Sequence, residues 1–253
     1  MTREELIQID ELKRTNPDFK HLFEKTEQEY QFTLSHIFHH IRNDLTMLIC
    51  PFQLIEHLHP EVRSFKYWNE CKSSISYTSD FLEQLSDYNN CCNIHAKAFN
   101  LEHMLKEFIS SAQDEYNSSP VSISLDIYDS CQNIDGDADK LYQVLEQLLQ
   151  NSCEAVSDNE GEIKFTLSQS GSFCKIAVSD NGRGFSKEMR EKMFTPFSSD
   201  KKHHAGLGLC TANRIVLAHK GYIRLAHTDF TGTCIEVCLP AASENKHLVQ
   251  QTN

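Results

Sequence analysis

The chain has 253 residues, a formal net charge of −12, 40% hydrophobic and 24% charged residues, and few glycines and prolines. That length fits one large domain or two modest ones with separate cores, and the negative balance repels a polyanion, which argues against nucleic acid as a partner. No apolar run is long enough to cross a bilayer and Met1-Thr2-Arg3-Glu4-Glu5 is no signal-peptide core, so the expectation is a cytoplasmic protein with no membrane span of its own. The ten cysteines are irregularly spaced, and Cys91-Cys92 does not have zinc-ligand spacing. Reduced thiols packed as small apolar residues are expected.

Residues 1–25 are polar and charged, with a helix restart at Asn16-Pro17-Asp18, a cap followed by a first-turn proline. Residues 26–92 read as two helices around a turn at His57-Leu58-His59-Pro60. The first carries Leu34, Phe38, Ile41, Leu45, Leu48, Phe52 and Ile55, alternately four and three residues apart, which is a heptad seam. The second repeats the alternation with Trp68, Cys71, Ile75, Thr78, Leu82 and Leu85. A hairpin with a stripe this long is expected to pair with a second copy as a dimeric four-helix bundle. Pro51, inside the first helix, is expected to kink it.

Beyond Asn93 the periodicity changes. A helix over 101–112 leads into the alternating strand 121–128, and a second helix covers 137–156. Strands at 162–167 and 173–179 flank the turn Gln169-Ser170-Gly171. A helix over 211–219 precedes strands at 222–226 and 233–239. This predicts an α+β domain over 93–242, with helices on one face of a largely antiparallel sheet. Residues 243–253 form a polar tail.

The chemistry concentrates in Asp180-Asn181-Gly182-Arg183-Gly184-Phe185, followed about twenty residues later by Gly206-Leu207-Gly208-Leu209. Such a pattern suggests a nucleotide pocket built from an acidic side chain and two glycine turns. Asp180 can accept a hydrogen bond from an exocyclic amine, which adenine presents, and glycines let the backbone approach a ligand. Upstream, His36, His39 and His40 at i, i+3 and i+4 also have the spacing of a metal cluster, but no carboxylate or cysteine partner is evident beside them. His39 and Asn43 fall outside the seam, one turn apart on one flank, where an imidazole nucleophile is accessible.

In their order these motifs resemble the cytoplasmic core of a bacterial sensor histidine kinase. That core is a dimerisation and phosphoacceptor hairpin followed by an ATP-binding α/β-sandwich of the gyrase–Hsp90–histidine kinase–MutL superfamily. The likeness covers roughly residues 30–240. His39-His40-Ile41-Arg42-Asn43-Asp44-Leu45-Thr46 is similar to the phosphoacceptor box His-Glu-Ile-Arg-Asn-Pro-Leu-Thr, which implies His39 as acceptor, with Asn43, His40 and Asp44 beside it as the catalytic flank. Gln143 to Ala155 resembles the family's Asn-bearing helix, implying that Asn151 ligates Mg²⁺. One turn earlier, hydrolytic members carry a Glu that activates water; here Gln147 cannot act as a base. The likeness further implies adenine recognition by Asp180, a pocket floor of Gly182 and Gly184, and a supporting lid segment from Phe194 through Phe197 to Lys201. It also implies phosphate cradling by the Gly206-Leu207-Gly208 backbone. A kinase of this type would take Mg·ATP, autophosphorylate on His39, and pass the phosphoryl group to an aspartate of a response-regulator receiver domain.

Three positions depart from the family pattern. His40 stands where an acid normally follows the acceptor, Asp44 replaces the usual Pro, and His204 replaces the first glycine of the second box. The first keeps a rival open: a phosphotransfer, scaffold or phosphatase protein of the same architecture with weakened forward catalysis. A hydrolytic ATPase is opposed by Gln147, and a serine kinase by the His-bearing hairpin.

Overall fold

The computed structural model describes residues 3–129, 133–156, 160–199 and 204–242, and the chain divides into two compact units between Asn90 and Cys91. In the first unit, helix α1 (Arg3–Thr15) is followed by the 42-residue α2 (Pro17–Leu58) and, after a 3₁₀ turn at Pro60–Ser64, by α3 (Trp68–Asn90). The cap and first-turn proline expected to restart a short helix within 1–25 instead open α2, which runs unbroken past residue 26, where the hairpin was expected to begin. Asn16 is extended, its side chain accepts from the Phe19 N–H at 3.0 Å, and Pro17 occupies the first turn. The helix then continues through Pro51 to Leu58.

Helices α2 and α3 pack antiparallel around the turn. At the turn end, the Phe52 and Trp68 rings lie 4.9 Å apart, and Glu56 accepts from Arg63 Nε at 2.8 Å and Lys72 Nζ at 2.7 Å. At the other end, Asn89 Nδ2 donates to the Gln31 carbonyl at 3.3 Å and Ser35 Oγ donates to Asn90 Oδ1 at 3.3 Å. The expected seam splits in two. Leu34, Phe38, Leu45 and Phe52 are half-buried, whereas Ile41, Leu48 and Ile55 are exposed, as are Cys71 and Thr78 on α3. One hairpin covers only part of an apolar stripe this wide.

The second unit runs β1 (Lys97–Phe99), α4 (Leu101–Glu115), β2 (Val121–Ile127), β3 (Ile134–Gly136), α5 (Ala138–Ala155), β4 (Gly161–Ser170), β5 (Phe173–Asp180), α6 (Lys187–Lys192), α7 (Gly208–Ala218), β6 (Tyr222–Asp229) and β7 (Gly232–Pro240). Five strands form a sheet in the order β2-β4-β5-β7-β6, with only β2 and β4 parallel, and β1 pairs separately with β3. Alternation sets the faces. Ile163, Phe165 and Leu167 of β4 and Ile235, Val237 and Leu239 of β7 are buried in one cluster with Leu105 and Phe108 of α4 and Leu145 and Leu148 of α5. The opposite sheet face is polar: Lys164 pairs with Asp126 at 2.6 Å, and Glu236 lies between Lys175 and Arg224.

Helices α5 and α7, which carry the motif residues, are locked together through buried His219 at the end of α7. Its Nδ1 donates to the Ile215 carbonyl at 2.7 Å, and its Nε2 accepts from the Asp137 N–H at 2.8 Å. Asp137 in turn caps α5 by accepting from the Lys140 N–H at 3.1 Å, and takes the His95 N–H at 2.7 Å. Ring and carboxylate thereby fix where α5 begins.

Candidate active site

A cleft opens between α5 and the β5–β7 region, enclosing about 510 Å³ including its mouth. Leu148, Ala155, Val178 and Ile235 give it apolar walls, and Asn151, Ser152, Asp180, Arg183, Gly184, Phe185 and Thr233 complete its lining. Asp180 ends β5 at the base. Its Oδ1 accepts from the Gly182 N–H at 3.0 Å and its Oδ2 from Ser152 Oγ at 3.1 Å. Burial pushes its carboxyl above the ordinary range, with the hydrogen bonds from Gly182, Ser152 and Thr233 opposing. A cleft with apolar walls and one fixed carboxylate suits a heterocycle that offers an amine.

Gly184 is in the left-handed region at φ 69°, and a Cβ there would lie 2.0 Å from the Asp229 carbonyl oxygen. Any side chain would therefore force the Asp180–Phe185 turn away from the β6–β7 hairpin. Gly182 packs on the Ala155 backbone. Asn151 lines the cleft half-buried on α5, and its Nδ2 donates to the Gln147 carbonyl at 2.8 Å. That bond leaves the amide oxygen as the ligand it can offer, and such an oxygen fits a hard divalent cation.

The second glycine box reaches α5 one turn earlier: a Cβ on Gly208 would meet Gln147 Oε1 at 2.2 Å, so α7 begins directly against Gln147. Gly206 turns beside Ser198, and the Leu207 side chain is core, 1% exposed, leaving its backbone for any ligand role. His204 Nδ1 lies 3.8 Å from Glu154 Oε1 on α5. Phe197 is exposed, has φ 62°, and is absent from the cleft lining. Lys201 lies outside the described residues.

In the helical unit, His39, His40, Asn43 and Asp44 are all exposed on α2. Asn43 Nδ2 is 3.4 Å from His39 Nδ1, and the His39 and His40 rings meet edge-on at 6.1 Å. Among the described residues no group of three metal-ligating side chains occurs, and no helix is long and apolar enough to cross a membrane.

Sequence reasoning missed Ser152, Arg183, Phe185 and Thr233. Ser152 carried a signal: it continues the apolar stripe Leu141, Val144, Leu145 and Leu148 of α5 as its one buried polar member. Thr233 carried none, since only the β5–β7 register places it opposite Asp180.

Residues 136–243 match the family of histidine kinase-, DNA gyrase B- and HSP90-like ATPases. The sensor histidine kinase ZraS of Escherichia coli K12 is 31% identical over 144 residues, covering 57% of this chain and 31% of that protein. The signal transduction histidine-protein kinase AtoS of the same strain is 26% identical over 212 residues, covering 83% of this chain and 35% of that one. The chain thus spans about a third of the length of these relatives. In fold it is similar to full-length ShkA solved with AMPPNP (TM-score 0.69, 19% identity, 83% of this chain and 45% of that one). It is also similar to the histidine kinase ThkA solved with the response regulator TrrA (TM-score 0.62, 19% identity, 90% and 67%). Over residues 136–243 the C-terminal unit thus has the sequence pattern of a histidine kinase-, DNA gyrase B- and HSP90-like ATPase domain, and the chain as a whole is similar to parts of histidine kinases.

Proposed function

We propose that the protein is a dimeric protein-histidine kinase that transfers the γ-phosphoryl group of ATP to His39 and then to an aspartate of a response-regulator receiver domain. The observation that carries this reading is the occurrence in one chain of a cleft with apolar walls holding one half-buried carboxylate and of an exposed His39–Asn43 pair on a helical hairpin. Asp180 receives the adenine amine, Gly184 keeps the turn beside it open, and the backbone of Gly206–Gly208 at the start of α7 faces the phosphates. Asn151 would hold Mg²⁺ through its amide oxygen, and the ion would supply positive charge to offset that of the phosphates.

Asn43 engages Nδ1 of His39, which leaves Nε2 to attack phosphorus. The N–P bond forms as the bond from the γ-phosphorus to the bridging oxygen breaks, ADP departs with that oxygen's electron pair, and the Nδ1 proton of the phosphorylated imidazole is lost to solvent water. In the structure Asn43 turns Nδ2 toward His39 Nδ1; a flip of that amide, presenting its oxygen instead, holds the proton on Nδ1 and frees the Nε2 lone pair. Transfer of this kind rests on positioning and charge neutralisation. Gln147, packed on Gly208 where a hydrolytic base would stand, favours transfer over hydrolysis. The exposed Ile41, Leu48 and Ile55 are the surface that a second copy covers. Incubation with γ-labelled ATP is expected to give acid-labile label on the wild type and none on His39→Ala; label persisting on that variant refutes the reading.

His40, in place of an acid, favours a second reading, a phosphotransfer or phosphatase protein with slow forward chemistry. His40→Glu distinguishes the two. Restoring the acid supplies a general base worth roughly 10²-fold or more to a kinase limited by proton removal, whereas unchanged labelling with intact ATP binding supports the weakened form.

A further inference from the structure

The phosphotransfer reading uses His39 as acceptor and gives His36 no part, while His40 enters it only as the residue standing in place of the usual acid. His36 and His40 stand one turn apart on α2, both exposed, with ring centres 5.7 Å apart and planes inclined by 33°. The His36 ring also rests against Phe32 at 5.1 Å, which restricts where it points. His39 is engaged elsewhere: its Nδ1 faces Asn43, and it meets His40 edge-on rather than across a shared gap. Of the three rings, the i, i+4 pair is the one that lines up along the helix, as the spacing requires.

We propose that His36 and His40 form a two-imidazole site for a borderline divalent transition metal such as Cu²⁺, Ni²⁺ or Zn²⁺, with water completing the shell. Metal–imidazole bonds are about 2.0–2.1 Å long, so a tetrahedral ion shared by two rings holds their centres roughly 5 Å apart. The observed 5.7 Å exceeds this by less than an ångström, and side-chain rotation must still turn one nitrogen of each ring toward the shared ion. Imidazole nitrogen selects these metals over Mg²⁺ and Ca²⁺, which take oxygen. The site is therefore chemically distinct from the Mg²⁺ position assigned to Asn151, and it stands whether or not His39 accepts phosphate. Occupancy would put a divalent charge beside the His39 ring, whose centre is 6.1 Å from that of His40.

The full chain is titrated with Cu²⁺, Ni²⁺, Zn²⁺ and Ca²⁺ against a chromophoric chelator, and its thermal unfolding is followed with each metal. The wild type is expected to bind one Ni²⁺ or Zn²⁺ per chain more than His36→Ala/His40→Ala, with Cu²⁺ tightest. Each single variant should weaken that ion at least tenfold, and His39→Gln should keep it. Because an i, i+4 clip ties one helical turn, Ni²⁺ should raise the unfolding temperature of the wild type and not that of the double variant. Histidine side-chain NMR should show Cu²⁺ broadening the His36 and His40 resonances first. Equal stoichiometry and affinity in wild type and double variant overturn the proposal, as does Ca²⁺ binding as tightly as Zn²⁺.

Discussion

The two units handle apolar surface in opposite ways. In the C-terminal unit, sheet and helices close on themselves: Phe165, Leu167, Ile215, Val237 and their neighbours are at most 1% exposed. In the helical unit, none of the 42 residues of α2 is buried and α3 buries only Leu82. Leu48, Leu54, Leu58 and Met47 of α2 are instead left more than half exposed. A sheet layered under helices satisfies its own hydrophobic face, while a two-helix hairpin has one stripe and two sides to cover. The lesson is about stability: one unit holds its fold through internal contacts, and the other leaves apolar surface that an association would have to cover.

Breaking that contrast gives the largest expected effect. Leu48→Glu places a charge on the exposed stripe of α2. If a second copy covers that stripe, the variant loses a buried leucine and gains a desolvated carboxylate, about 2–4 kcal/mol per chain. Sedimentation should then show monomers, with loss of helical signal, while ATP binding by the C-terminal unit survives. A variant that sediments as the wild type does would remove the dimer from the proposal.

Asp180→Asn tests the unit that stands alone. Burial raises the Asp180 carboxyl, so its ionised form costs the fold stability: the contribution is full below its unfolded pKa and lost as pH rises through the higher folded one. The amide removes this cost, so the ligand-free protein should melt at the same temperature or higher at neutral pH. Nucleotide affinity should fall about 10–100-fold, the loss of one charge-assisted hydrogen bond in a dry slot. In the wild type, affinity should fade on acidification at a pH above the ordinary carboxylate range. Equal ATP binding by the variant, measured calorimetrically, would displace Asp180 from adenine recognition.

The same contrast governs what was legible in the sequence. Long periodic elements were readable, because Asn16-Pro17 marks the α2 start and the alternation over 121–128 and 233–239 marks β2 and β7. The helix expected over 211–219 begins earlier, at Gly208, since its first turn is built on the glycine box. Strands β1 and β3, three residues each, and the six-residue α6 were not foreseen, being too short to show a period. Asp180, Gly184 and Asn151, singled out because their residue types are unusual where they stand, all line the cleft. Phe197, expected at the pocket, lies outside its lining because the chain turns there with positive φ and leaves the ring in solvent. Ile41 was expected inside the seam and lies on its uncovered half: heptad spacing shows that a face is apolar, but not which of two partners covers it.

Glu236→Gln gives the smallest effect and probes the polar sheet face that closes the self-sufficient unit. Glu236 lies 8% exposed on β7, accepting from Arg224 Nε at 2.6 Å and Lys175 Nζ at 3.2 Å. Burial pushes its carboxyl up, but the hydrogen bonds and charges of Arg224 and Lys175 outweigh burial and hold it below the ordinary range. A depressed carboxyl stabilises the fold above its unfolded pKa and loses that contribution as pH falls through the folded one. Because Arg224 and Lys175 are 59% and 30% exposed, water screens what the amide leaves behind, and the loss should be about 1 kcal/mol, at the upper end for surface pairs and well short of fully buried ones. The difference between wild type and variant should be full at pH 7 and shrink only at a pH below the ordinary glutamate range, as the wild-type carboxylate protonates. A difference that stays constant down to low pH would mean that Glu236 acts through packing, and the ion pairs that bracket it would contribute nothing to holding β5, β7 and β6 together.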